Sequence, residues 1–100
     1  MIIKQGTVPV GYTQLDPSPP RAYLLAQLAL TASGPCRIRF GKSGGPFVSP
    51  DIFLTTGVPY ILPFNDQGWL SFPAGQQIGA DVTVTSGTPT VGIIAGFEPA

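Results

Sequence analysis

Apolar and polar residues alternate along several short segments of this chain. Residues 81–85 (DVTVT) alternate almost strictly, and in residues 36–40 (CRIRF) the two arginines fall on one side. From 91 to 97, every second residue is apolar, with glycines at 92 and 96 on the other side. Because successive side chains of a β-strand point to opposite faces, this period of two predicts three strands, each with one buried face.

The stretch from Gly57 to Gly87 is the densest group of strand signals. Its segments 58–64 (VPYILPF) and 69–72 (WLSF) are short, rich in aromatic and β-branched residues, and bounded by Gly, Pro, Asn and Asp. These features are typical of strands rather than helices. Together with residues 81–85, they predict a three-stranded meander onto which the rest of the chain packs.

Residues 22–32 (AYLLAQLALTA) fit two patterns. Leu24 and Leu28 have the spacing of a helix face, and Ala, Leu and Gln are good helix formers. As a strand, the segment would place Leu24, Ala26, Leu28, Leu30 and Ala32 on one face. No N-cap residue precedes it, and Ser33-Gly34-Pro35 follows as a tight turn. A strand that forms a hairpin with residues 36–40 is favoured, and a helix is the alternative.

Residues 1–20 predict an extended, Pro-rich N-terminal arm that precedes the main domain. Pro17, Pro19 and Pro20 favour a polyproline-like conformation, and only residues 2–3 and 8–10 suit brief pairing at a sheet edge. Two interpretations of the arm stay open. It lies against its own domain, or it reaches a neighbouring subunit.

The turn content completes the prediction of the fold. Glycine and proline supply 13 and 12 of the 100 residues, without a regular period, so turns are frequent and strands are short. A chain of this length forms one domain with one core. We therefore predict that residues 21–100 form a single-domain, all-β, antiparallel β-sandwich, jelly-roll-like, with about seven or eight short strands.

The charge content restricts the classes of partner. Five cationic and five anionic residues give zero net charge, and charged residues make up 10% of the chain against a usual quarter. Five cations do not form a phosphate-binding stripe, so no nucleic-acid partner is expected. No apolar run approaches the roughly 18 residues of a membrane span, so no membrane partner is expected. A neutral surface favours self-association, and we predict a homo-oligomer, with a trimer favoured over a dimer.

The residues that usually carry catalysis are scarce. The chain has no histidine and a single cysteine, Cys36, whose strand pattern indicates a small structural residue rather than a reactive thiol. Asp66 lies in the Asn65-Asp66-Gln67-Gly68 turn, which turn chemistry explains better than Ca²⁺ binding does. The sequence therefore predicts a non-enzyme, with no catalytic, metal or cofactor residues and no cofactor.

Trp69 is the one tryptophan, and it follows a turn. We predict that its indole closes one end of the sandwich core near Leu62 and Phe64, with its N–H bonded to the backbone. The alternative is an exposed aromatic platform for a sugar, formed by Trp69, Tyr60 or Tyr12.

Residues 62–69 (LPFNDQGW), the Ala74-Gly75 loop, the alternating strand at 82–84, the Ser86-Gly87 turn and the final strand form a recognisable series. This series resembles small jelly-roll proteins of tailed bacteriophages, some of which are capsid decoration (cement) proteins. The resemblance implies a virion structural protein on the capsid surface that binds the major capsid protein and clamps neighbouring capsid subunits. The alternative is a carbohydrate- or receptor-binding module of a phage fibre or spike.

Overall fold

The segments with strand patterns form nine β-strands in the computed structural model, which describes residues 1–16 and 21–100. The strands are β1 (Ile2–Val8), β2 (Gly11–Asp16), β3 (Tyr23–Ala32), β4 (Cys36–Gly41), β5 (Ile52–Leu54), β6 (Tyr60–Leu62), β7 (Leu70–Phe72), β8 (Ile78–Thr83) and β9 (Val91–Pro99). The ambiguous segment 22–32 is a strand. No helix in the described ranges is long and apolar enough to cross a membrane.

Two antiparallel sheets pack face to face. Sheet 1 has the order β1-β9-β3-β6, with β7 also on β3, and sheet 2 has the order β2-β8-β4-β5. Because β6 and β7 pair with the two ends of β3, they act as one interrupted edge strand. Counted in this way, eight strands are divided between two four-stranded layers in jelly-roll order. The predicted all-β sandwich is confirmed.

The core lies between the sheets. Its largest fully buried side chains include Leu25, Leu28, Phe40 and Phe72, and the Phe72 ring packs edge-on against Phe97 at 5.8 Å between centroids. The pairing of β3 with β9 shifts by one residue between Leu25 and Gln27. This bulge moves Leu25 onto the core face with Leu28 and leaves Leu24, which the alternation places inward, only partly buried.

Two predicted pairings are wrong. The structure has no meander over residues 57–87, since β6 and β7 pair with β3 and β8 lies in sheet 2. Likewise β3 and β4 form no hairpin, because they belong to different sheets. Period-two patterning identifies a strand and its buried face. It does not identify the partner strand, which long-range packing determines.

The predicted N-terminal arm also differs from the structure. Residues 2–8 pair with β9 along their whole length, and residues 11–16 pair with β8, so they are edge strands of the two sheets. Val8 is buried and Leu15 packs against the core, which explains why this part of the chain joins the sandwich. Residues 17–20, which include Pro17, Pro19 and Pro20 of the predicted arm, lie outside the described residues.

Candidate interaction surface

The outer face of sheet 1 follows from its strand register. Paired residues of an antiparallel sheet point to the same side. Ile61 of β6 pairs with Ala29 of β3, Ala29 pairs with Ile94 of β9, and Ile94 pairs with Gln5 of β1. One row of outward side chains thus crosses the whole sheet. The sheet 1 outer face comprises Ile3, Gln5, Thr7, Gln27, Ala29, Thr31, Ile61, Gly92, Ile94 and Gly96.

This face carries exposed apolar side chains among uncharged polar ones. Ile61 is 56% exposed and Ile94 is 46% exposed. Ile3, and Phe64 near Ile61, are exposed to a similar extent. None of the ten residues carries a charge, and Glu98 lies beyond Gly96 at the end of β9. Ile3 and Ile94 lie on the adjacent strands β1 and β9, and Ala29 of β3 lies between Ile94 and Ile61, so the apolar residues form a contiguous patch. Such patches mark surfaces that bind another molecule.

Ile94 forms a ridge between two shallow depressions. One depression lies over Gly92 and is bounded by Gln5, Thr7 and Thr31. The other lies between Ile94 and the pair Ile61 and Phe64. The surface therefore has relief that a complementary protein surface could fill.

The outer face of sheet 2 is charged, and its charges are paired. The Arg39 guanidinium contacts the Asp81 carboxylate, with Nη2 and Nε at 3.2 and 3.3 Å from Oδ2. It also lies 3.8 Å from the centre of the Phe47 ring. Arg37 Nη1 lies 3.6 Å from Asp51 Oδ2. Four of the ten charged residues are thus held in ion pairs on this side of the molecule.

Tyr12 crosses the same face of sheet 2. Its hydroxyl donates a hydrogen bond to the Gly41 carbonyl oxygen at 2.8 Å. The ring passes directly over Gly79, where an added Cβ would overlap the tyrosine oxygen. Burial raises the pKa of the Tyr12 phenol, and the nearby Asp81 carboxylate raises it further, while the Ser43 backbone N–H lowers it. The hydrogen bond to Gly41 and the close contact with Gly79 hold the Tyr12 side chain in place.

Trp69 is not in the core, so the predicted burial is wrong. Its side chain is 42% exposed, and its indole N–H donates to the Pro63 carbonyl oxygen at 2.8 Å, which satisfies the indole as predicted. Residues 63–69 are an excursion between β6 and β7 at the sheet edge, not a hairpin over the core. Phe72 occupies the core instead.

The excursion is tied to the bulge in β3. The Asn65 N–H donates to the Ala26 carbonyl oxygen at 2.8 Å, and the Trp69 N–H donates to the Leu25 carbonyl oxygen at 2.7 Å. Gly68 has a φ of 77°, and a Cβ there would lie 2.8 Å from the Leu24 Cβ. The glycine is required both by its conformation and by this close approach.

Only one of the three residues of the alternative sugar platform is open. Tyr60 packs against the core and Tyr12 lies across sheet 2, whereas Trp69 is exposed. The exposed apolar face of sheet 1 was missed by sequence reasoning. Its signal was present in the alternation, since Ile61 and Ile94 occupy the outward positions of their strands.

The residues with reactive side chains do not converge. Cys36 is a free, buried thiol, and burial raises its pKa, as suits the structural role that its strand pattern predicts. Asn65 Oδ1 accepts the Gln67 N–H at 2.9 Å, which is the turn chemistry expected for this loop. Within residues 1–16 and 21–100, no three of His, Cys, Asp and Glu come together. No protein-family model matches the chain, and no solved structure matches it.

Proposed function

We propose that this chain is a non-enzymatic virion structural protein, a capsid decoration protein that binds the outer surface of a tailed bacteriophage head. The observation that carries the proposal is the uncharged sheet 1 outer face, on which Ile61 and Ile94 are exposed on either side of Ala29. Its proposed partner is the major capsid protein, and its proposed location is the capsid surface.

The physical argument concerns the cost of desolvation. Burying charged groups at an interface is expensive unless each finds a partner, whereas burying isoleucine is favourable. The sheet 1 outer face offers apolar side chains, amides and hydroxyls. Another protein surface can therefore cover it without burying a charge that lacks a partner. The resemblance of residues 62–69 to phage jelly-roll proteins supplies the identity of that partner, since the fold alone does not determine function.

The test is attachment to purified phage heads that lack the protein. Ile61→Lys and Ile94→Lys each place a charge in the proposed interface, and each should weaken attachment by at least about tenfold, which corresponds to about 1.4 kcal/mol. The matched control is Phe53→Lys, which replaces a 74% exposed apolar residue on the outer face of sheet 2. If Phe53→Lys weakens attachment while both isoleucine variants attach normally, the proposed surface is wrong. If the wild-type protein does not attach to heads, the proposed function is wrong.

A second function rests on a different observation. The exposed Trp69, with Phe64 also open nearby, supports a carbohydrate- or receptor-binding module of a phage fibre or spike. Exposed indoles stack on sugar rings, because both have flat, weakly polar faces. Binding to a glycan array that disappears in Trp69→Ala and persists in Ile94→Lys would favour this function over attachment to heads.

A further inference from the structure

The four edge strands of the sandwich differ in how they are protected against pairing with another chain. In sheet 2, β5 has three residues and follows Pro50, and the pairing of β2 shifts between Gln14 and Asp16. In sheet 1, the β6–β7 edge is interrupted by residues 63–69. Short strands, bulges and interruptions are the usual devices that block edge-to-edge association.

The β1 edge is not short, bulged or interrupted. It pairs with β9 at seven consecutive residues without a shift, and within the described residues it has a strand on one side only. Ile2 and Ile3 are exposed on it, and Lys4 is its one charged residue. A long, regular, largely uncharged edge is a template for another strand.

We propose that β1 pairs antiparallel with β1 of a second copy of this chain, about a two-fold axis at Gln5. The axis is perpendicular to the sheet, and the pairing joins two five-stranded sheets into one of ten strands. The interface is isologous and closes with two subunits, so it specifies a dimer in place of the trimer that the sequence favours.

The register follows from geometry. Paired residues must point to the same side, so residue numbers that pair across the axis must have an even sum. If the two residue numbers of each pair add up to 10, all seven residues of β1 have partners, from Ile2 with Val8 to Gln5 with Gln5. A sum of 8 places Lys4 directly opposite its own copy, which like-charge repulsion disfavours. A sum of 12 leaves Ile2 and Ile3 without partners.

The pairs in this register are chemically compatible. Ile2 faces Val8 of the second copy and Ile3 faces Thr7, which are β-branched pairs that stabilise antiparallel strands. Lys4 faces Gly6, so the charged residue lies opposite the one residue of the strand that has no side chain. Gln5 faces Gln5 on the axis, where two amides are able to bond to each other. No like charges meet along the seven pairs.

The axis also determines where the apolar surfaces lie. A two-fold axis perpendicular to the sheet leaves both sheet 1 outer faces on the same side of the dimer. If the proposed function is correct, the dimer offers two copies of the binding face side by side, which suits contact with two neighbouring capsid subunits. The strand pairing itself does not depend on that function.

The test introduces charged residues at two positions that pair in the proposed register and measures the effect on dimerisation. In Ile3→Lys/Thr7→Lys, lysines oppose each other twice across the axis. In Ile3→Lys/Thr7→Glu, the same two exposed positions carry charges that attract. In wild type and the Lys/Glu variant we expect dimers at high micromolar concentration by light scattering and sedimentation. The dimer of the Lys/Lys variant should dissociate with a Kd at least about tenfold higher, and this difference should shrink in 1 M salt. A monomeric wild type, or equal Kd values for the two variants, would overturn the proposal.

A second experiment uses single variants, so that its result does not depend on whether the double variants fold. Gln5→Lys and Gln5→Glu each change one exposed side chain, and each alone places like charges on the axis. An equimolar mixture should form heterodimers more tightly than either variant forms homodimers. The circular dichroism of each variant verifies the fold. A mixture that associates no more tightly than the separate variants would contradict the pairing at Gln5.

Discussion

The outer faces of the two sheets follow the same geometry but carry opposite chemistry. On sheet 2, Arg39, Asp81 and Tyr12 form a cross-strand row whose side chains bond to one another or to the backbone. On sheet 1, the corresponding row consists of Ile61, Ala29, Ile94 and Gln5. The polar groups of sheet 2 are already satisfied within the molecule, whereas the apolar groups of sheet 1 gain from being covered. The distribution of charge, more than its sum of zero, therefore distinguishes the two faces and is the reason for proposing sheet 1 as the binding side.

The glycines of the two faces should respond most differently to substitution. Gly79→Ala places a Cβ against the Tyr12 ring and 2.8 Å from the Thr13 carbonyl oxygen, so ring and backbone must move. We expect a loss of about 2–3 kcal/mol in the free energy of unfolding, measured by urea denaturation.

The control for that experiment is Gly92→Ala on the sheet 1 outer face. Its nearest neighbour would be the Thr31 carbonyl oxygen at 3.7 Å, an ordinary contact. The alanine restricts the unfolded chain, so we expect stability to rise by up to about 1 kcal/mol. Equal losses in the two variants would show that the close contact over Gly79 does not constrain sheet 2.

Tyr12→Phe should destabilise the protein by about 1 kcal/mol at neutral pH, because it removes the hydrogen bond to Gly41. The pKa of Tyr12 in the folded protein is raised above its ordinary value of 10.0. The stability that Tyr12 contributes is therefore fully present below pH 10 and is lost as the pH rises through the folded pKa. Denaturation series from pH 7 to 11 should show the difference between wild type and variant narrowing above pH 10. A constant difference would contradict the shift.

The Arg39–Asp81 pair should contribute less, since the arginine side chain is 39% exposed. A double-mutant cycle with Arg39→Met and Asp81→Asn should give a coupling energy of about 0.5 kcal/mol, reduced in 1 M salt. A coupling energy that 1 M salt leaves unchanged would contradict an electrostatic origin of the coupling between the two side chains.

Ile94→Thr should have the smallest effect on folding and a clear effect on association. The side chain is outward and keeps its β-branched shape, so the change in unfolding free energy should stay within about 0.5 kcal/mol. Binding of a dye that fluoresces on apolar surfaces should fall relative to wild type. An unchanged dye signal would show that Ile94 is not part of an accessible apolar patch.

The sequence predicted the fold class and the buried faces better than the pairings. The inward positions of residues 36–40 and 91–97 follow from alternation, and the structure buries Ile38, Phe40, Val91 and Ile93 as that pattern requires. The β3 bulge shifts the alternation of buried and exposed residues by one position, and no local sequence pattern predicts this shift. The partners of β6, β7 and β8 depend on contacts between distant segments, and a pattern of period two is the same whichever sheet a strand joins.

The candidate surface was predictable only in part. Ile61 and Ile94 stand at outward positions of apolar segments. The low charge of the chain predicts self-association, but it does not indicate which surface is involved. A hairpin between residues 64 and 69, which the short turn predicts, would place Trp69 in the core. Since β6 and β7 lie end to end along β3, the intervening turn projects from the edge, and the indole projects with it.

The pairing of β1 with β9 sets the order in which the sandwich can be assembled during synthesis. β9 lies between β1 and β3 in the middle of sheet 1, although it is synthesised after the other eight described strands. Until it emerges, β1 has no partner within its own sheet and β3 keeps one side open. Native pairing is therefore completed only after translation of residue 99, and until then the nascent chain exposes unpaired strand edges that favour aggregation.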